Sequence, residues 1–222
     1  MSGVARYDGH AEYYDERLRD FTLRWTDVLR RLLGPGPGRC LDLGCGTGLH
    51  FATLLELGWT TTGIDVSADQ LRLAETRGEE VELIEADASS LPFADASFDA
   101  VVSVFTHTDM ADYSRAVREG VRVLVPRGRF VHLGLHPCFV GPFARYTGEE
   151  QAPELFPGYR DSGWANDGPG LGEGLRRIVG THHVPLAELL QAFVEAGLAL
   201  ARFEEPGDGL YPRVLAVAGY RP

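Results

Sequence analysis

Leu41-Asp42-Leu43-Gly44-Cys45-Gly46-Thr47-Gly48-Leu49 is the stretch that decides the fold of this chain. An apolar run enters three alternating glycines and leaves, at Leu49, into a helical pattern. Glycine reaches positive φ without steric cost, so the backbone turns sharply here and can approach a ligand closely. The helix that follows turns free N–H groups and the positive end of its dipole toward the same spot. A strand that feeds a helix through such a turn begins a strand–helix–strand unit, so its neighbours should supply further strands.

They do. Upstream, Phe21, Trp25, Val28, Leu29, Leu32 and Leu33 recur at helical spacing, and Gly34-Pro35-Gly36-Pro37-Gly38 ends that helix before a strand over Arg39 to Leu43. Downstream, the helix after the glycines runs through Leu57 and is closed by Gly58. Thr60 to Asp65 is β-branched and predicts a second strand, and Ser67 stands where an N-cap belongs for a helix carrying Leu71, Leu73 and Ala74. Val81 to Ile84 predicts a third strand and Phe98 to Val104 a fourth, apolar throughout as a strand covered on both faces should be. Asp112 to Leu124 predicts a helix, and Pro126-Arg127-Gly128 turns the chain into a fifth strand, Arg129 to Leu135. From His136 to Gly180 periodicity is lost in a stretch rich in Gly, Pro and aromatics, which suits an ordered cover. Pro185 to Ala196 is again helical, and Leu198 to Phe203 and Arg213 to Tyr220 predict two last strands.

Composition narrows the function. Of 222 residues, 32 are acidic and 21 basic, for a formal net charge of −11. Nucleic-acid binders draw most of their affinity from basic residues on phosphates, and no Lys/Arg cluster occurs here, so no nucleic-acid partner is expected. The three cysteines, Cys40, Cys45 and Cys138, are an odd number and argue against a disulfide framework. The start of the chain has no apolar leader-like run, and no segment approaches membrane-spanning length. A cytoplasmic protein without a membrane partner is expected, as a monomer or homodimer.

The glycine run fits a dinucleotide fingerprint poorly. G-x-G-x-x-G would need glycine where Leu49 stands, and Asp42 is out of place before the first glycine. Instead, Asp42-Leu43-Gly44-Cys45-Gly46-Thr47-Gly48 resembles motif I of the class I S-adenosylmethionine-dependent methyltransferases, D-x-G-x-G-x-G. Gly63-Ile64-Asp65-Val66-Ser67, Glu85-Ala86-Asp87-Ala88, Leu91-Pro92-Phe93 with Ser97-Phe98-Asp99, and Leu124-Val125-Pro126-Arg127-Gly128 resemble later segments of that family in order and spacing; Arg127 replaces a usual glycine. The likeness is good over Tyr7 to Leu135 and looser beyond, and it is nearest to the small-molecule branch around ubiquinone, menaquinone and natural-product biosynthesis.

The resemblance implies an α/β, Rossmann-like three-layer sandwich: a seven-stranded, mostly parallel sheet ending in an antiparallel strand, with a lid inserted after the fifth strand. It divides a single domain into a helical cap (1–34), a cofactor-binding core (39–135), a lid (136–184) and a closing helix and strand pair (185–222). It implies S-adenosylmethionine as cofactor, held by Tyr14, Asp42, Gly44, Cys45, Gly46, Thr47, Gly48, Asp65, Val66, Gln70, Asp87, Ala88 and Phe105, with Asp65 on the ribose hydroxyls and Asp87 on the adenine amine. The methyl acceptor, a small molecule, is expected against Tyr13, His107, His136, Phe139, Tyr146, Trp164 and His183. His107 and His136 follow the fourth and fifth strands, where ligands meet parallel sheets. Imidazole titrates near neutrality, so either is a candidate general base for an acceptor that must lose a proton; each could equally only wall the pocket. Tyr7, Tyr13 and Tyr14 either cover the cofactor or pack as an ordinary helix start. No metal is expected, because the histidines lack a ligand spacing. Two alternatives stay open: the same fold binding the cofactor for another reaction such as a cyclisation, and, further off, an NAD-dependent oxidoreductase.

Overall fold

A computed structural model describes residues 5–148 and 152–222; the first four residues, part of the start considered above, lie outside the described residues. The chain begins with two helices, α1 (Ala11–Leu23) and α2 (Thr26–Leu33). Strand–helix alternation follows as β1 (Arg39–Leu43), α3 (Phe51–Glu56), β2 (Thr60–Asp65), α4 (Ala68–Glu75), β3 (Glu82–Glu85) and β4 (Phe98–Val104). A single 3-10 turn (His107–Asp109) precedes α5 (Tyr113–Val123) and β5 (Leu124–Leu135). An insertion carries β6 (Ala144–Arg145), β7 (Glu154–Leu155), β8 (Gly163–Ala165), α6 (Leu175–Val179) and β9 (Thr181–His183), and α7 (Leu186–Glu195), β10 (Ala199–Glu204) and β11 (Val214–Tyr220) close the chain.

Seven strands form one sheet in the order β3-β2-β1-β4-β5-β11-β10. Every pairing from β3 to β5 is parallel, and β11 runs antiparallel to both β5 and β10. The three-layer sandwich with a closing antiparallel strand is therefore the observed fold. Alternate residues of the central strands bury on opposite faces. Leu41, Val101 and Phe130 join Tyr113, Phe193 and Leu189 on one side. Cys40, Val102 and Val131 join Leu29, Leu33 and Trp59 on the other. Each fully buried Leu or Phe side chain contributes roughly 1.5–3 kcal/mol.

Three local findings depart from the sequence expectation. The apolar stripe of Phe21 to Leu33 crosses a helix break at Trp25 (φ −98°, ψ 7°), whose ring is buried against the sheet. Most of α1, before Phe21, escapes periodicity, because the residues it buries include Asp15 and Thr22. The fifth strand starts at Leu124, since Pro126-Arg127-Gly128 is absorbed as an irregularity with Arg127 at φ 67° and its N–H donating to the Arg221 carbonyl (2.7 Å). Ser67 caps α4 by accepting from the Gln70 N–H at 3.3 Å.

The strand order reverses between β1 and β4, and a sheet that reverses there opens a crevice at the carboxyl ends of those strands.

Candidate active site

That crevice is a cavity of about 490 Å³. Its floor is the glycine turn after β1. Gly44 (φ 74°) and Gly46 (φ 54°) hold left-handed backbone, and a methyl added at Gly44 would sit 2.8 Å from the Thr106 side chain. Gly48 (φ 75°) serves the helix behind the turn: a Cβ there would strike the Phe51 ring at 2.5 Å. Asp65, at the end of β2, accepts from the Gly46 N–H (3.0 Å) and the Ser67 N–H (2.9 Å), which ties the turn to the second strand. Asp42 is buried beneath the turn, and its carboxylate meets no hydrogen-bond donor among the described residues. Burial, and then the charge of Asp65, push Asp42 up to about 7; burial pushes Asp65 up to about 6 against the hydrogen bonds it accepts.

Cys45, Thr47, Val66, Gln70, Asp87, Ala88 and Phe105 line the same cavity, as does Tyr14. The Gln70 Oε1 is buried without a partner. Asp87 accepts from the Ser89 N–H at 2.8 Å. Phe105 leaves β4 at φ 56°, a strained conformation for an aromatic residue, and strain of this kind tends to gather at functional sites. The Tyr14 phenol is held protonated by burial, and its ring meets that of Tyr7 edge-on at 5.0 Å.

The segment before α1 is strapped over this floor. The Tyr7 hydroxyl donates to Asp109 (2.7 Å), the Ser67 hydroxyl to Asp8 (2.6 Å) and the Gly9 N–H to Asp69 (2.6 Å). One turn into α1, Asp15 accepts from the Thr47 hydroxyl (2.6 Å) and from both Arg77 terminal nitrogens (2.7 and 2.6 Å); Arg77 also donates to the Thr47 carbonyl (2.6 Å). Burial works against the Asp15 charge, but the Arg77, Arg19 and Thr47 hydrogen bonds prevail and hold its carboxyl well below the usual range.

The residues expected around the acceptor are not all brought together. His107 and His183 line a second, smaller cavity of about 70 Å³ behind the Thr106–Asp109 turn. His136 walls neither cavity: its Nδ1 accepts from the Cys138 N–H (3.2 Å) and its Nε2 meets exposed Glu205 (2.8 Å), so both ring nitrogens are engaged. Phe139 packs on His136 and Tyr211, and Tyr146 lies under the Arg213 guanidinium at 3.9 Å, both away from the cavities. Trp164 touches the large cavity only through Arg6, whose guanidinium lies 3.8 Å from its ring centroid. Tyr13 is 43% exposed and faces away. Sequence reasoning missed Thr106, Asp109, Met110 and Arg115, which wall the cavity after β4. Asp109 lies two residues past His107, so the rule about carboxyl ends of strands could have found it.

Residues 41–132 match a family model described as a methyltransferase domain. A demethylmenaquinone methyltransferase of Thermus thermophilus is 42% identical over 144 residues, 60% of this chain and 66% of that protein. A 27-O-demethylrifamycin SV methyltransferase of Amycolatopsis mediterranei is 35% identical over 133 residues, 54% of this chain and 48% of that protein. The aligned part thus spans half to two thirds of these curated relatives. The crystal structure of an S-adenosylmethionine-dependent methyltransferase from Mesorhizobium loti superposes with a TM-score of 0.74 at 25% identity, covering 91% of this chain and all of that one. Over the sheet, the glycine turn and the crevice the chain is similar to class I S-adenosylmethionine-dependent methyltransferases.

The residues present fit that family's cofactor. An unpartnered buried amide oxygen (Gln70) and the Asp65 carboxylate in the cavity wall suit a ligand bearing donor groups, the buried Asp42 beneath the turn adds negative charge there, and the two left-handed glycines hold positions that a Cβ would crowd. Among the described residues no group of three or more His, Cys, Asp or Glu could hold a metal ion.

Proposed function

We propose that this protein transfers a methyl group from S-adenosylmethionine to an oxygen, nitrogen or carbon atom of a small-molecule acceptor in cofactor or secondary metabolism. The observation that carries the reading is the 490 Å³ cavity at the reversal point of the sheet, walled by Gly44, Gly46, Asp65 and Asp87, with Asp42 buried beneath the turn. Two curated relatives of the stated similarity are small-molecule methyltransferases by name, and the net charge of −11 disfavours nucleic acid as acceptor. No described helix is long and apolar enough to cross a membrane. We place the protein in the cytoplasm as a monomer or homodimer, and its cysteines are free.

In this reading Asp65 takes the ribose hydroxyls, Asp87 the adenine amine, and the Gly44–Thr47 turn with Asp42 the methionine end. The cofactor, when bound, supplies a methyl group already activated on a cationic sulfur. The chain's own task is then to hold the acceptor in line, and such positioning can contribute roughly 7–11 kcal/mol. Tyr14 and Phe105 present aromatic surface that excludes water and favours a cation. Burial, with its neighbouring histidines and Arg176, keeps His107 neutral, hence able to accept a proton; it is a weak base, suited to an acidic hydroxyl. We assign the base role to His107 in preference to His136, whose nitrogens are both engaged.

The test is incubation with a methyl-labelled donor and a panel of hydroxylated quinone precursors and aromatic polyketides, beside transfer RNA. Label in one or more small molecules and none in RNA is expected. Label in RNA alone contradicts the reading.

A further inference from the structure

The smaller cavity is walled by His107 and Thr108 of the 3-10 turn, by Val140 and Gly141 after β5, and by Arg176 and His183 of the insertion. It shares a partition with the large cavity. Thr106 and Asp109 face the large side of that turn, whereas His107 and Thr108 face the small side. Asp109 and Arg176 stand in that partition as a two-pronged ion pair, with Arg176 Nη2 donating to Asp109 Oδ2 at 3.1 Å and Nη1 donating to Oδ1.

The chemistry of the small cavity is neutral. Arg176 is its one cationic wall residue, and Asp109 spends that charge. Burial holds His107, His182 and His183 below the ordinary histidine range. The His183 tautomer follows from its partner. Its Nε2 lies 2.7 Å from the Tyr159 carbonyl, which can only accept, so Nε2 carries the proton. Nδ1 of the neutral ring is then a free lone pair, on the side of Gly141, where an added Cβ would lie 3.4 Å from it. His107 Nδ1 is fully buried and has no partner either. Apart from these groups, Thr108 and Thr181, the wall is Leu, Val, Pro and Gly. An apolar pocket with few convergent polar atoms selects by shape and by those atoms.

We propose that this cavity is a second compartment of the active site that takes a neutral hydroxyl-bearing end of the methyl acceptor, the hydroxyl donating to His183 Nδ1. The acceptor class is therefore an apolar phenol or alcohol, and carboxylate or phosphate ends are rejected because no unpaired cation receives them. This deepens the methyltransferase reading and rests on it.

The experiment uses the full chain saturated with S-adenosylhomocysteine, titrated with 2-naphthol and, separately, 2-naphthoate, following the His183 ring nitrogens by NMR. His183→Gln assigns the signals. Binding of naphthol that moves the His183 signals, with naphthoate about tenfold weaker or more, is expected, since an unpaired buried charge or lost hydrogen bond costs at least about 1.4 kcal/mol. Val140→Phe, which fills the cavity, is expected to weaken naphthol by a similar factor and leave S-adenosylhomocysteine binding unchanged. His183→Gln is an independent check should Val140→Phe fold poorly, and it should weaken naphthol while naphthoate stays weak. Equal binding of naphthoate, naphthol binding indifferent to both variants, or no naphthol binding to the loaded protein overturns the compartment. Failure of S-adenosylhomocysteine itself to bind overturns instead the methyltransferase reading beneath it.

Discussion

Asp42 and Asp65 sit within one electrostatic unit under the glycine turn, and burial pushes them up to about 7 and about 6. Near neutral pH the pair therefore holds part of a proton. The ammonium group and hydroxyl donors of a ligand on this floor stabilise the ionised carboxylates and lower both values. Protons then leave on binding, so S-adenosylhomocysteine affinity should rise as pH is raised from about 6 to about 8. Titration in buffers of different ionisation enthalpy should report net proton release; net uptake would contradict the arrangement. These two acids and the glycines were legible from the sequence, because motif and turn are local. For Asp109 only its place after the fourth strand was legible: its partners are Tyr7, 102 positions away, and Arg176, 67 positions away, and no local pattern records either meeting.

At the scale of elements, the same contrast separates α4 from α1. The Ser67 cap and the Leu71/Ala74 stripe announce α4. Most of α1 is polar, and what holds it is Asp15, which reaches Thr47 in the turn and Arg77 beyond α4. Asp15→Asn leaves Arg77 beside a neutral amide in a largely buried site. Breaking a fully buried pair costs about 3–5 kcal/mol, and the 22% exposure of the Arg77 side chain lowers that here. Denaturant unfolding should show a loss of about 2–3 kcal/mol, and S-adenosylhomocysteine binding should weaken with it because the turn loses its clamp. A variant as stable and as tight as the parent would show that the clamp does nothing. The insertion is fastened differently, through Arg176 to Asp109 and through Trp164 to Arg6. Asp109→Ala frees Tyr7 and Arg176 together. Hydrogen–deuterium exchange in 163–183 and in the segment before α1 should accelerate in concert, with the central strands unchanged; protection unchanged in both segments would remove Asp109 as their common anchor. Apolar periodicity gives no hint of this insertion's short strands, since its elements are held by aromatic and ionic contacts.

Across the whole molecule, the parallel order of five strands, the returning antiparallel strand and the crevice at the reversal all follow from alternating apolar runs and from β11 re-entering beside β5. The sequence carried that architecture well, because each run is long enough to show its period. It carried the acceptor side poorly. His136 and Phe139 share an edge with His107 in the chain order, yet the turn after β5 ties them to Glu205 and Tyr211 instead. The division into a cofactor floor and a separate histidine-walled compartment exists only once the insertion is folded back on the 3-10 turn.

The central claim is tested most directly by calorimetric titration of the purified protein with S-adenosylmethionine, S-adenosylhomocysteine and NAD⁺. Both adenosyl compounds should bind, NAD⁺ should not, and Asp65→Ala should weaken both by about ten- to a hundredfold, the worth of a hydrogen bond to a charged group. Binding of NAD⁺ alone, or of neither adenosyl compound to a folded sample, would contradict the account.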